Sequence, residues 1–197
     1  HHKTYVSREG IRLLFDDGEK VVTLETPGGN RLELTDADGG IVLEDQNGNK
    51  LRFYSDVLKG RVVLVSFLFT NCEYACPMQA QKLKQARAAM VPSIKDDVWY
   101  VSLSVDPERD TPEAMKKFLA NQGVDESRWI FLTGKKENMD FLIKRLGQYV
   151  PNIEAHTTLM LAGNTITRHW TRVMPMLTPP DIARKMRDMV EETPGRG

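Results

Sequence analysis

Apolar residues fall into two textures along this chain. Through about residue 53 they come in short alternating triplets: Val22-Thr23-Leu24, Leu32-Glu33-Leu34, Ile41-Val42-Leu43 and Leu51-Arg52-Phe53. Their first positions advance by 10, 9 and 10 residues, and Pro27-Gly28-Gly29-Asn30, Asp38-Gly39-Gly40 and Asn47-Gly48-Asn49 lie between them. Period-two alternation broken by Gly/Asn turns at this interval predicts short strands, each with one apolar face. Four such strands have little core of their own.

From about residue 51 the pattern alternates between strand and helix. Residues 61–67 are Val/Leu-rich and read as a strand buried on both faces. A helix follows over 76–91, opened by Pro77, with Met78, Leu83, Ala86 and Met90 toward one side. Residues 98–105 give a second strand, and Thr111-Pro112 caps and starts a helix running to about 121. A short strand at 129–132, a helix at 137–146 stopped by Gly147, and a hairpin of 157–161 with 165–170 around Gly163-Asn164 come next. A helix over 178–192 closes the chain, with Pro179-Pro180-Asp181 in its first turn. This order predicts an α/β domain over residues 41–197, a mixed sheet with helices on both faces, preceded by a β-rich extension over residues 1–40.

Composition narrows the function. The 197 residues carry 27 Lys+Arg and 27 Asp+Glu, and zero net charge argues against a nucleic-acid partner. The balance is uneven: the first 53 residues hold 10 acidic and 7 basic residues. No apolar run approaches the roughly 18–20 residues of a membrane span. His1 and His2 read as the remnant of an affinity tag. No signal peptide or lipidation motif is visible, and behind a tag remnant that decides nothing.

The chemistry concentrates at Thr70-Asn71-Cys72-Glu73-Tyr74-Ala75-Cys76-Pro77, between the buried strand and its helix. Cys72 and Cys76 are the only cysteines, too few for a disulfide-stapled scaffold. A helix N-terminus favours thiolates, the form needed for disulfide exchange and for soft-metal binding. Spaced by four, the two sulfurs can close a disulfide or share one ion, while two buried core cysteines are the plain alternative. A structural zinc site lacks a second Cys/His cluster. His156, just before a strand, is the remaining candidate ligand; two sulfurs and an imidazole suit Cu(I). His169 beside Trp170 reads as packing or surface, and Met78 as a thioether neighbour of the pair.

Three motifs in order carry a family resemblance: Thr70-Asn71-Cys72-x3-Cys76-Pro77, then Ser102-Leu103-Ser104-Val105-Asp106-Pro107-Glu108-Arg109-Asp110-Thr111-Pro112-Glu113, then Leu132-Thr133-Gly134 with the distal His156. Residues 41–192 resemble the Sco/SenC/PrrC family. The resemblance implies a thioredoxin-like fold, extracytoplasmic placement and a copper site formed by Cys72, Cys76 and His156. It further implies a metallochaperone that delivers copper to the CuA centre of a cytochrome c oxidase subunit. The other activity implied is thiol–disulfide exchange, with Cys72 and Cys76 as the catalytic redox pair and a thioredoxin-like reductant as partner. The chain departs from the family in Glu73, where Pro often follows the first cysteine, in Ala155, where Asp commonly precedes the histidine, and in Ala162-Gly163-Asn164, which lacks an acidic residue.

The N-terminal motifs Ile11-x3-Phe15-Asp16-Asp17-Gly18, Asp36-x2-Gly39-Gly40 and Asp45-x-Asn47-Gly48 are similar to phage-tail and type VI secretion spike proteins. That resemblance implies an intertwined β-helix of three chains, a trimeric stalk on a delivery module. An ordinary β-meander on a single chain fits the same ten-residue period.

Overall fold

The computed structural model describes residues 2–16, 21–29, 31–35, 41–149 and 158–195. His156 and the start of the expected hairpin at Thr157 lie outside the described residues. The chain divides into two compact units, His1–Ile41 and Val42–Gly197.

The first unit is a four-stranded antiparallel meander, paired in chain order. Its strands are β1 (His2–Val6), β2 (Arg12–Asp16), β3 (Val21–Glu25) and β4 (Arg31–Thr35). Sequence alternation anticipated the last two but not β1 and β2. His2, set aside above as a tag remnant, is a strand residue paired with Asp16. The Tyr5 and Phe15 rings meet edge to face at 6.1 Å. Gly10 makes the β1–β2 turn at φ 79°, a conformation that suits glycine.

The second unit opens with β5 (Val42–Asp45) and β6 (Lys50–Arg52), then a π-helical turn over Phe53–Leu58. Next come β7 (Val62–Leu68), α1 (Ala75–Ala88), α2 (Pro92–Lys95), β8 (Val98–Ser104), α3 (Pro112–Asn121), β9 (Trp129–Thr133) and α4 (Lys136–Arg145). The strands β10 (Met160–Asn164) and β11 (His169–Val173) precede α5 (Pro179–Glu191). The sheet order is β11-β10-β7-β8-β9-β5-β6. The three central strands β7, β8 and β9 run parallel, and the flanking pairings are antiparallel.

Every residue of β7 is buried, as expected of a strand covered on both faces. Leu64 and Leu68 join Leu83 of α1, Leu119 of α3 and Met186 of α5 in one core. Val63, Val65 and Phe67 alternate to the opposite face, where α4 buries Met139, Leu142 and Ile143. Polar atoms inside the sheet are closed on one another. Ser66 and Ser102, opposite in register, share a hydroxyl hydrogen bond of 2.9 Å, and the Trp129 indole donates to Ser102 at 2.9 Å. Thr111 caps α3 as expected, and Thr178 with Asp181 forms a reciprocal capping box on α5.

The C-terminal hairpin corrects the sequence reading. Gly163-Asn164 lies within β10, and the chain turns over 165–168, with Arg168 at φ 62°. Gly163 is needed for packing, because a Cβ there would lie 2.5 Å from the Trp170 ring. Asn164 is fully buried. Its amide donates to Met189 O and Thr193 Oγ1, and its carbonyl accepts the turn's N–H groups from Ile166 and Thr167.

Candidate metal and thiol centre

The parallel strands β7 and β8 end side by side, so the segments leaving their carboxyl ends are neighbours. One carries the cysteine pair, the other Asp106 and Asp110. Cys72 sits half-buried in the loop before α1, and Cys76, second residue of the helix, has no solvent exposure. No disulfide joins them. The Cys76 backbone N–H donates to Cys72 Sγ at 3.2 Å, so a first-turn donor that the helix leaves over points at the first sulfur. The spacing of four therefore does bring Cys72 onto the start of the turn that contains Cys76.

The helix N-terminus does not make both groups thiolates, as the sequence reading expected. Burial pushes the Cys76 thiol far above its usual range. The Cys72 sulfur and the Asp110 charge push the same way, and a backbone hydrogen bond from Phe69 offsets this only in part. Desolvation outweighs the dipole, and Cys76 holds its proton at neutral pH. The two sulfurs thus differ in kind: one is partly open to solvent, the other buried and protonated.

Beneath the cysteine loop lies a buried acid whose role sequence reasoning did not single out. Asp110 accepts the Thr70 backbone N–H at 2.9 Å, the Thr70 hydroxyl at 2.7 Å and the Ser104 hydroxyl at 2.5 Å. Ser104 Oγ in turn accepts the Asp106 N–H at 3.1 Å. Burial raises the Asp110 carboxyl above the usual aspartate range, against the pull of the Ser104 and Thr70 hydrogen bonds, and the Asp106 charge adds to the rise. Asp106 is 3% exposed; its Oδ2 makes no hydrogen bond and faces Arg109 Nε at 3.5 Å. Thr70 is two residues from Cys72, so these bonds tie the cysteine loop to the end of β8. The sequence signal was present: two Asp after a buried strand, next to a strand that ends in cysteines.

The remaining sequence candidates separate cleanly. His169 Nδ1 lies 2.7 Å from Glu192 Oε2 on the surface, away from metal chemistry, as read above. Met160 is core, whereas Met78 is 72% exposed. Among the described residues no group of three or more His, Cys, Asp or Glu side chains could hold a metal ion. The two sulfurs fit a soft monovalent ion by their chemistry, with the third donor to come from outside these residues.

The chain is similar to several known proteins. The chain is 40% identical over 104 residues to the SCO1 protein homolog of Bacillus subtilis, a match covering 51% of this chain and 52% of that relative. The chain thus spans about half the length of the curated relatives it matches. Among solved structures, ScoI of Bradyrhizobium japonicum with copper bound is 28% identical, with a TM-score of 0.63 over 75% of this chain and 96% of that one. A SCO1/SenC family lipoprotein from Bacillus anthracis is 30% identical, with a TM-score of 0.64 over 76% and 92%. BsSco is 29% identical, with a TM-score of 0.62 over 77% and 92%; it is a member of the Sco family of cytochrome c oxidase assembly proteins, in which a disulfide switch has been identified. The central mixed sheet flanked by helices is the thioredoxin-like architecture of these structures. With the SCO1/SenC family model matching residues 32–191, most of the chain, this protein belongs to the SCO1/SenC family.

Proposed function

We propose that this protein is an extracytoplasmic copper metallochaperone that holds Cu(I) through Cys72, Cys76 and His156 and delivers it to a CuA-type site of a cytochrome c oxidase subunit. The observation that carries the reading is the placement of the Cys72 sulfur, from the loop after the central strand, against the first-turn N–H of Cys76 in α1, in a chain of the SCO1/SenC family. Copper bound to the Bradyrhizobium relative and the lipoprotein nature of the Bacillus anthracis relative support the cargo and the placement. Among the described residues no helix is long and apolar enough to cross a membrane. Copper binding displaces the Cys76 proton, so affinity falls as the pH is lowered. Copper titration of the reduced protein beside Cys72→Ser and His156→Ala tests the site. Each variant is expected to lose affinity by at least about ten-fold; unchanged stoichiometry and affinity in both would sink the assignment.

A second reading has its own support in the asymmetry of the pair. As a thiol–disulfide oxidoreductase, the accessible Cys72 attacks a partner disulfide and expels one partner thiolate. Cys76 then gives up its proton, attacks Cys72 Sγ and expels the second thiolate, so two electrons pass from the pair to the partner. A thioredoxin-like reductant restores the thiols. Iodoacetamide is expected to label Cys72 in the folded protein and Cys76 only on unfolding, as mass spectrometry of timed digests would show. A reduction potential below about −300 mV would mark a pair that glutathione-type partners do not readily reduce.

A further inference from the structure

The loop between β7 and α1 must put a sulfur in a fixed place with little packing to hold it. Asn71, Glu73 and Tyr74 are exposed, and Cys72 itself is only partly buried against the core. Yet Cys72 Sγ stands 3.2 Å from the Cys76 backbone nitrogen. On the other side of Thr70, the Phe69 main chain hydrogen-bonds the Cys76 sulfur. Thr70 therefore lies between a residue that holds one sulfur and the residue that carries the other.

Thr70 is gripped at two points. Its N–H and its hydroxyl both donate to Asp110 Oδ1, which fixes the orientation of its peptide as well as its distance. The acid that grips it is held from behind. Its second oxygen accepts the Ser104 hydroxyl at the end of β8, and its own N–H donates to Asp106 O at 3.0 Å. The next residue, Thr111, caps α3 by accepting the Ala114 N–H at 3.3 Å. Asp110 is 1% exposed, and burying a carboxylate costs desolvation that a neutral partner for Ser104 would avoid. What the carboxylate adds is an acceptor strong enough to take both Thr70 donors.

We propose that Asp110, acting through Thr70, is a positioning residue that sets where Cys72 stands over the first turn of α1, and with it the hold of the pair on Cu(I). The proposal rests on the copper reading above. Asp110 is not itself a ligand: among the described residues it forms no ion-holding group with the two cysteines. Its effect is geometric. A site works when its ligands are kept within about 0.5 Å of their productive places by hydrogen bonds from the surrounding residues. The rigid junction of β8 with α3 is thereby coupled to a loop that has few anchors of its own.

Three variants of the full-length reduced protein test this. Thr70→Val keeps the branched shape and the backbone bond but removes the hydroxyl bond, Thr70→Ser restores it, and Asp110→Ala removes both. One readout is Cu(I) affinity, measured by competition with a chromophoric chelator. The other needs no copper: amide hydrogen exchange of Cys76, whose first-turn N–H has Cys72 Sγ as its acceptor. Thr70→Val is expected to weaken Cu(I) binding by about ten-fold and to speed Cys76 exchange, with Leu83 and Ala86 in the same helix unchanged. Asp110→Ala is expected to do more of both, and Thr70→Ser to match the parent protein. Parent-like affinity and Cys76 exchange in Thr70→Val and Asp110→Ala would overturn the proposal. So would exchange that rises equally at Cys76, Leu83 and Ala86, since that marks a general loosening of α1. A Cys76 response with Cu(I) binding indifferent to Cys72→Ser and His156→Ala would remove the copper reading and leave Asp110 positioning a thiol pair.

Discussion

The two units use the same kind of strand and reach opposite ends. In the meander of His2–Thr35, strands of five residues pair in chain order, and Tyr5, Val6 and Leu24 stay exposed. In the α/β unit, β7 buries all seven of its residues because α1 and α5 cover one face and α4 the other. A single sheet shelters little from water on its own, whereas a covered sheet can strip a thiol of solvent and hold an acid beneath it. Buried polar groups are tolerated there because they find partners: Ser66 with Ser102, Asp110 with Thr70 and Ser104, Asn164 with the end of α5. Function follows the second layer rather than the strand pattern.

Three substitutions probe this contrast. Trp129→Ala removes a ring stacked on Tyr100 at 5.2 Å and one of the two hydrogen bonds of the Ser102 hydroxyl, so a loss of about 3–5 kcal/mol is expected from urea unfolding. Asp110→Ala leaves the Thr70 N–H and the Ser104 hydroxyl without their acceptor, at about 1–3 kcal/mol. Leu24→Ala in β3 is expected to cost less, about 1 kcal/mol, since that side chain is already 39% exposed. If Leu24→Ala matched Trp129→Ala, the contrast between the units would be broken.

Acidity sharpens the same contrast. Asp110 has its carboxyl raised in the folded state, so between the ordinary aspartate range and that higher range the folded protein binds more protons than the unfolded chain. Stability therefore falls as pH rises through that window. Cys76 acts with the same sign at alkaline pH: its contribution is whole below the ordinary thiol range and is lost above it. Asp110→Asn, which cannot ionise, is expected to flatten the acid-side fall, as unfolding midpoints across pH would show.

Much of the α/β unit was legible from local signals. A seven-residue stretch that is apolar but for Ser66, Thr111-Pro112 and Thr178-Pro179 each carry their structure within a few neighbours, so β7, α3 and α5 could be read directly. The pair of cysteines was legible for the same reason. What was not legible depends on distant contacts. Gly163-Asn164 looks like a turn until Trp170 is seen to need the space of a missing Cβ. Cys76 looks activated by its helix until the core around it is assembled. The role of Asp110 arises from a bond across 40 residues, made possible only by parallel pairing of β7 with β8.

That parallel pairing also divides the α/β unit into a fixed end and a permissive one. Both chemical loops leave the carboxyl ends of neighbouring strands, where an added residue would pull Thr70 out of register with Asp110. At the amino end of β7, Lys59 and Gly60 are exposed, and Gly60 has open space around it. A reporter module spliced between Lys59 and Gly60 would sit a full strand length from the cysteines, so the same architecture that locks the centre also leaves a socket for attachments.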